Sequence, residues 1–99
     1  MIVKVHKKDG RTIVAVCDDE LLGKKFEQDG KQLDLASDFY NGDKYTDKQL
    51  VGDMIRNADV INLVGTISVS LGIEEGLIDK ENVINIDGIP HAQAAIEHE

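Results

Sequence analysis

Residues 59–87 read DVINLVGTISVSLGIEEGLIDKENVINID, and this stretch decides the fold. The run Val60–Val64 is almost entirely apolar, which is typical of a strand covered on both faces in a mainly parallel sheet. Residues 66–76 fit two templates, because apolar residues alternate with small or polar ones as in a strand, whereas Gly76 is typical of a helix end. A parallel partner strand at 83–86 needs a crossover of a dozen or more residues, which this gap supplies. We therefore predict a β-α-β unit of two neighbouring strands, with a helix favoured for the middle segment.

The preceding residues predict a hairpin and two helices. Residues 2–7 and 12–17 alternate as strands around Asp9-Gly10, and an Asp-Gly pair is a strong hairpin signal. An acid at Asp18 or Asp19 predicts the start of a short helix to about residue 28, with Gly30 stopping it, and residues 33–35 alternate as a strand. The apolar stripe of residues 47–58, with Thr46 and Gln49 in a capping-box pattern, predicts the clearest helix.

The residues after the β-α-β stretch complete the prediction. Asp87-Gly88 ends its last strand, and Pro90 suits the first turn of a short terminal helix, where its missing N–H does no harm. The predicted architecture is one small α/β domain over residues 1–99. In it, an N-terminal β-hairpin joins a mixed sheet that a C-terminal parallel β-α-β unit completes.

Composition excludes several classes of protein. No uncharged apolar run approaches the roughly 20 residues of a membrane span, and no apolar segment typical of a signal peptide follows Met1. We therefore expect a cytoplasmic protein that does not contact a membrane. Cys17 is the single cysteine and has no intramolecular partner, and the three histidines show no metal-ligand spacing. We expect no metal, no cofactor and no catalytic cluster.

Charge is unevenly spread along the chain. The formal net charge is −8, yet residues 1–31 hold seven basic groups against six acidic ones. A protein this acidic repels phosphate backbones at long range, but screening confines each charge to about 8 Å, so a local basic face can still bind RNA. The alternative is that these groups are only solvated surface charges. The basic residues in question are Lys4, Lys7, Lys8, Arg11, Lys24 and Lys25.

A second candidate site lies at the carboxyl end of the Val60–Val64 strand. Gly65-Thr66 is a strand-to-helix turn of the kind that binds anions in α/β sheets. The alternative is that the pair is only the ordinary start of a helix. Asn62 interrupts the apolar strand and needs a hydrogen-bond partner if it is buried. His91 and Gln93 follow a turn glycine and a proline that fix the backbone. For each of these residues, the alternative is a purely structural role.

The segments together resemble an archaeal family, domain of unknown function 424. The resemblance rests on IVKVHKKDG at 2–10, AVCDDELLGKKF at 15–26, ADVINLVG at 58–65, GLID at 76–79 and PHAQ at 90–93, and it extends over essentially the whole chain. It implies a small cytosolic archaeal protein without an assigned activity, and it supplies no catalytic residues.

Three functional hypotheses follow from the sequence. The favoured one is a non-enzymatic binding module that contacts a macromolecular partner, either RNA or a protein such as a translation-associated one. Under this hypothesis, three aromatic residues form a stacking surface, and the alternative is that they form a lid on the core. The residues are Phe39, Tyr40 and Tyr45. The second hypothesis is a small-ligand or anion-binding domain, or a minor enzyme, that uses Gly65-Thr66 and His91. The third is a homodimer, because a 99-residue chain has a limited core.

Overall fold

The computed structural model describes residues 1–98 and contains eight strands and two helices in that range. The strands are β1 (Ile2–Lys8), β2 (Arg11–Cys17), β3 (Lys25–Gln28), β4 (Lys31–Asp34), β5 (Asp43–Lys44), β6 (Val60–Val64), β7 (Ile84–Ile86) and β8 (Ile89–Ala95). The helices are α1 (Lys48–Arg56) and α2 (Thr66–Glu74). The structure thus settles the ambiguity at residues 66–76 in favour of a helix.

Six strands form one mixed sheet in the order β5-β1-β2-β6-β8-β7, and β3 and β4 form a separate hairpin. β1 and β2 are antiparallel neighbours joined at Asp9-Gly10, whereas β2 and β6 are parallel neighbours. The α/β class, the N-terminal hairpin and the mixed sheet are therefore confirmed.

The β-α-β unit differs from the prediction in one respect. β6 and β7 run in the same direction in one sheet and are linked through α2, but β8 lies between them and is antiparallel to both. Asp87 (φ 53°) and Gly88 (φ 81°) form a tight hairpin turn, so the chain reverses into a strand, and the predicted terminal helix at Pro90 is wrong. Pro90 is tolerated because the pairing of β8 with β6 begins only at His91.

The predicted helix over residues 18–28 is also wrong. Only a short 3-10 turn forms at Asp19–Leu21, after which the chain extends into β3 and pairs with β4. Asp29 (φ 52°) and Gly30 (φ 80°) are the turn of this hairpin rather than the end of a helix. The pairing places Phe26 opposite Leu33.

The sheet separates two apolar clusters. On one face, α1 and α2 cover strand residues such as Val16, Ile61 and Leu63. On the other face, the β3–β4 hairpin and the loop that follows it cover Cys17 and Val64. The aromatic residues divide between the two, since Phe39 and Tyr40 pack on the hairpin side and Tyr45 packs on the helix side.

Candidate functional site

A polar network interrupts the hairpin side of the sheet. Asn62 on β6 stands opposite Gln93 on β8, and His91 stands one pair further along, opposite Val64. The Tyr40 hydroxyl donates to Asn62 Oδ1 at 2.6 Å, and His91 Nε2 lies 3.0 Å from the same oxygen. Asn62 is half-buried, and its side-chain oxygen is paired with two side chains of the chain itself.

The geometry fixes the tautomer of His91. A carbonyl oxygen only accepts hydrogen bonds, so Nε2 carries the proton that bonds to Asn62 Oδ1, and the neutral ring leaves Nδ1 as a bare acceptor. That Nδ1 is buried and has no hydrogen-bond partner in the described part of the chain. His91 is 9% exposed, and burial lowers its pKa because the imidazolium form loses hydration. Burial likewise raises the pKa of Tyr40, which keeps its hydroxyl a donor.

The Gly65-Thr66 turn already holds an anion that belongs to the chain. The Asp18 carboxylate accepts from the amides of Ile67 at 3.1 Å and Ser68 at 2.8 Å, and also from the Ser68 hydroxyl at 2.8 Å. Asp18 is buried, and it follows β2, the parallel neighbour of β6. The helix N-terminus that the sequence offered to a ligand is thus filled from within. A Cβ at position 65, where φ is +105°, would overlap this carboxylate.

The five residues predicted for a ligand site are divided between places. Asn62, His91 and Gln93 lie together on the hairpin side of the sheet. Thr66 instead lines a cavity of about 360 Å³ between α2 and β7 on the helix side. Gly65 lies at the end of β6, where its amide donates to the carbonyl of Pro90. The predicted pocket therefore does not form as one concave site around Gly65, Thr66 and His91.

The sequence does not predict the roles of two side chains in the structure. It predicts Asp18 as the cap of a helix that follows directly, whereas Asp18 caps α2 by bonding to Ile67 and Ser68, which are 49 and 50 residues further along the chain. The sequence predicts Tyr40 as part of a lid on the core or of a stacking surface, and neither prediction pairs its hydroxyl with Asn62. An acid directly after a buried strand is the signal for Asp18, since the carboxyl ends of parallel strands face the helices that follow them.

Three of the six predicted basic residues share one face of the sheet with His6. Because side chains alternate along a strand and Ile2 packs on the hairpin side, Lys4, His6 and Lys8 point to that side as well. Arg11 stands directly opposite Lys8 on β2 and shares its face, and both are exposed.

The other three basic residues do not join them. Lys7 points to the opposite side of the hairpin by the same alternation. Lys24 bonds through its backbone to Leu21 and Leu35, just beyond the Cys17 end of β2, and Lys25 follows it. These two lysines therefore lie at the far end of β2 from Arg11, and the predicted basic face is smaller than the sequence indicated.

The hairpin side of the sheet is only partly covered. Ile13 and Val60 stand in one row with His6, are half-buried, and belong to neither apolar cluster. The His6 ring stacks on Phe39 with centroids 4.6 Å apart and planes inclined by 13°. We call this region the open sheet face, and its residues are Lys4, His6, Lys8, Arg11, Ile13, Val60, Asn62 and Gln93.

Three observations on residues 1–98 concern nucleophilic chemistry, metal binding and membrane spans. Burial, with Asp18 beside it, raises the pKa of the Cys17 thiol to about 11, which keeps it neutral. Cys17 and His91 lie in one row with Val64 between them, so two strand spacings, about 10 Å, separate them. The described residues hold no group of three His, Cys, Asp or Glu side chains arranged for a metal ion. None of their helices is long and apolar enough to cross a bilayer.

Comparison with known proteins gives a family and a fold. The family model described as Protein of unknown function (DUF424) matches residues 6–96. A crystal structure of an uncharacterized conserved protein from Methanopyrus kandleri superposes with a TM-score of 0.80 and 24% identity, and the match covers 99% of this chain and 94% of that one. That likeness shows the fold alone. No curated protein matches the chain.

Proposed function

We propose, for a chain that belongs to the DUF424 family of proteins of unknown function, that it is a cytoplasmic, archaeal, non-enzymatic module that binds single-stranded RNA on its open sheet face. The observation that carries the proposal is the strand register, which gathers Lys4, Lys8 and Arg11 on the same side as the stacked His6 and Phe39 rings. Basic groups beside an aromatic platform are the combination that single-stranded nucleic acids bind.

The charges suit a short-range contact. The whole chain carries −8, so an RNA strand is repelled at a distance and is attracted only where cations cluster. Lys8 and Arg11 are exposed at one end of the face, and Lys4 is half-buried further along it. Three phosphate contacts predict a slope of about −2 for log K against log salt with a single strand.

The surface between the charges suits unpaired bases. Ile13 and Val60 give a half-exposed apolar floor beside the His6–Phe39 pair, and base stacking on such platforms contributes about 1–3 kcal/mol per base. The partly open row of the face runs from His6 through Ile13 and Val60 to Ala95 on β8, and its three strand spacings amount to about 14 Å. A strand of two to three nucleotides is long enough to cross this distance.

The test is fluorescence anisotropy of a labelled single-stranded oligoribonucleotide across a salt series. The double variant Lys8→Gln/Arg11→Gln removes two cations from the open sheet face, and the matched control Lys24→Gln/Lys25→Gln removes two cations from the other end of β2. We expect the first variant to weaken binding by at least tenfold at low salt and to reduce the salt slope by about 1.4, while the control stays near the parent.

Equal effects of the two variants on the affinity for RNA would show that binding depends on net charge and not on the cations of the open sheet face. Failure of the parent to bind RNA at low salt would overturn the assignment and leave a protein partner as the remaining macromolecular class. A further variant, Phe39→Leu, separates stacking from charge, because it should weaken binding without changing the salt slope.

A further inference from the structure

The cavity of about 360 Å³ on the helix side lies between α2 and the hairpin of β7 and β8. Its volume is within the roughly 300–1,000 Å³ of small-molecule sites. α2 provides one wall with two rows of side chains, and the two members of each row are one helical turn apart. Thr66 and Ser70 form a hydroxyl row, and Val69 and Ile73 form an apolar row. This wall therefore offers hydrogen bonds along one side and an apolar surface along the other.

The topology gives the two ends of the cavity different chemistry. β6 and β7 run in the same direction, so α2, which returns from the end of β6, runs against β7. The start of α2 lies beside Asn85 and Pro90, since the Gly65 amide donates to the Pro90 carbonyl. The end of α2 lies beside Lys80 and Val83, which come just before β7. One end of the cavity thus has neutral hydrogen-bonding groups, and the other end has a cation.

Lys80 is the one charged side chain among the described residues that line the cavity. It is exposed and forms no ion pair in the part of the chain that the structure describes. Its sequence neighbours Asp79 and Glu81 do not line the cavity. One ammonium group balances one negative charge, and the net charge of −8 on the chain opposes a ligand that carries more. A carboxylate is therefore favoured over a doubly charged phosphate.

We propose that this cavity binds a small organic monocarboxylate that has an apolar body and an uncharged hydrogen-bonding group at its far end. The carboxylate lies at the ammonium group of Lys80, and the body packs on Val69 and Ile73. The far group bonds with Asn85 or with the Thr66 hydroxyl. Thr66 and Ile73 lie about 10 Å apart along the axis of α2, which sets the length of the ligand. The site is on the opposite side of the sheet from the open sheet face, so the inference does not rest on RNA binding.

The experiment is an NMR titration of the backbone amide signals with three probes. The probe with all three features is para-hydroxyphenylpropionate, its carboxamide lacks the charge, and phenylpropionate lacks the hydroxyl. We expect the full probe to shift the signals of α2 and β7 and to bind about twofold to fivefold more tightly than the carboxamide, the value of one exposed ion pair. Loss of the hydroxyl should weaken binding about threefold, the value of one weak hydrogen bond.

Two variants and one control test the site. Lys80→Gln removes the cation, so the carboxylate and the carboxamide should bind to it alike. The control Lys31→Gln removes an exposed lysine from β4 on the other side of the sheet, and it should bind like the parent. Ser70→Trp fills the cavity from an exposed position on α2 and should weaken all three probes. Unchanged signals from β3 and β4 show that this variant remains folded.

The outcomes separate this inference from the proposed function. Binding of the carboxylate that survives Lys8→Gln/Arg11→Gln supports the cavity whether or not the open sheet face binds RNA. A preference for the carboxylate that disappears in Lys80→Gln and persists in Lys31→Gln supports the role of the cation. The inference is overturned if the full probe leaves the signals of α2 and β7 unshifted, if the parent binds the carboxamide as tightly as the carboxylate, or if Ser70→Trp binds like the parent.

Discussion

Removal of the Asp18 side chain should destabilise the fold far more than removal of an ordinary helix cap. The carboxylate is 3% exposed and accepts three hydrogen bonds, two from amides at the start of α2 and one from the Ser68 hydroxyl. In Asp18→Ala these donors lose their partner, the two on Ser68 in a buried position, and α2 loses the negative charge at the positive end of its dipole.

The geometry gives the expected size of the effect. Hydrogen bonds to charged groups contribute about 1.5–3 kcal/mol each, and part of this is offset because a buried carboxylate no longer has to be dehydrated, so we expect a loss of about 3–5 kcal/mol. Asp18→Asn keeps an oxygen at the position of Oδ1, which serves both Ser68 donors, and loses the acceptor for Ile67. The loss in that variant should be about 1.5–2 kcal/mol.

Urea unfolding of these variants is the assay, and the chain provides its own control. Asp47 caps α1 by accepting from the amides of Gln49 at 2.9 Å and Leu50 at 3.3 Å, but it does so in an exposed position. Asp47→Ala should therefore reduce the free energy of unfolding by about 1 kcal/mol. If Asp18→Ala lost no more than Asp47→Ala, or if Asp18→Asn lost as much as Asp18→Ala, the account of the internal cap would be wrong. Should Asp18→Ala fail to fold, the comparison of Asp18→Asn with Asp47→Ala still decides.

Three further predictions concern the internal cap of α2 and the hydrogen-bond network of His91. Gly65→Ala should lose about 3 kcal/mol or more in urea unfolding, because Cβ meets the carboxylate at a positive φ, whereas Gly10→Ala, also at positive φ but in open space, should lose about 1 kcal/mol. Burial holds the pKa of His91 below its ordinary 6.5, so the folded state binds a proton less readily than the unfolded state. Stability present above pH 6.5 should then be lost as pH falls toward the folded pKa, with a slope of at most about 1.4 kcal/mol per pH unit that is absent in His91→Gln. Asn62→Asp places a carboxylate about where Oδ1 now lies, 3.0 Å from Nε2, and should raise the pKa of His91 in an NMR titration; an unchanged pKa would contradict the network.

Much of the fold could be predicted from periodicity and turn chemistry. The apolar stripe of α1, the continuous apolar run of β6 and the Asp9-Gly10 hairpin all appear where the sequence places them. α1 begins one residue later than the capping pattern suggested, because Asp47 rather than Thr46 supplies the cap. Local signals suffice here because the helix and the hairpin pair their own backbones, and the unbroken apolar run of β6 identifies a strand covered on both faces.

The errors share one cause. The chain has three Asp-Gly pairs, at 9–10, 29–30 and 87–88, and in each pair both residues have positive φ in a two-residue hairpin turn. Only the first was interpreted as a hairpin. The prediction makes the second pair a helix stop and the third the end of a strand, so it lacks β3 and β8. The same dipeptide has the same conformation each time, because Asp-Gly favours the turn in which both residues have positive φ, and that turn matches the twist of the strands beside it.

The candidate site was less predictable because it depends on β8. Asn62, His91 and Gln93 were expected around the Gly65-Thr66 turn of a β-α-β pocket, whereas they meet because β8 lies antiparallel beside β6. Antiparallel neighbours bring residues 62 and 93 into one pair, and no local pattern near either residue reports that register. Tyr40 reaches the same place from a loop, which the sequence does not position at all.

The internal cap also explains why the surface proposed to bind RNA lies on the hairpin side. In α/β sheets, ligands usually bind at the carboxyl ends of parallel strands, where helix amides are free to meet an anion. Here that position lies between the ends of β2 and β6, and the Asp18 amide donates to the Val64 carbonyl while its carboxylate accepts from the first amides of α2. An external anion would have to displace the buried Asp18 carboxylate from these amides. It would then lie beside that carboxylate, because Asp18 is part of the chain. The first amides of α2 on the helix side thus stabilise the fold. The groups of the sheet that remain unpaired or only partly covered face the opposite side, and they are the bare Nδ1 of His91 and the side chains of Ile13 and Val60.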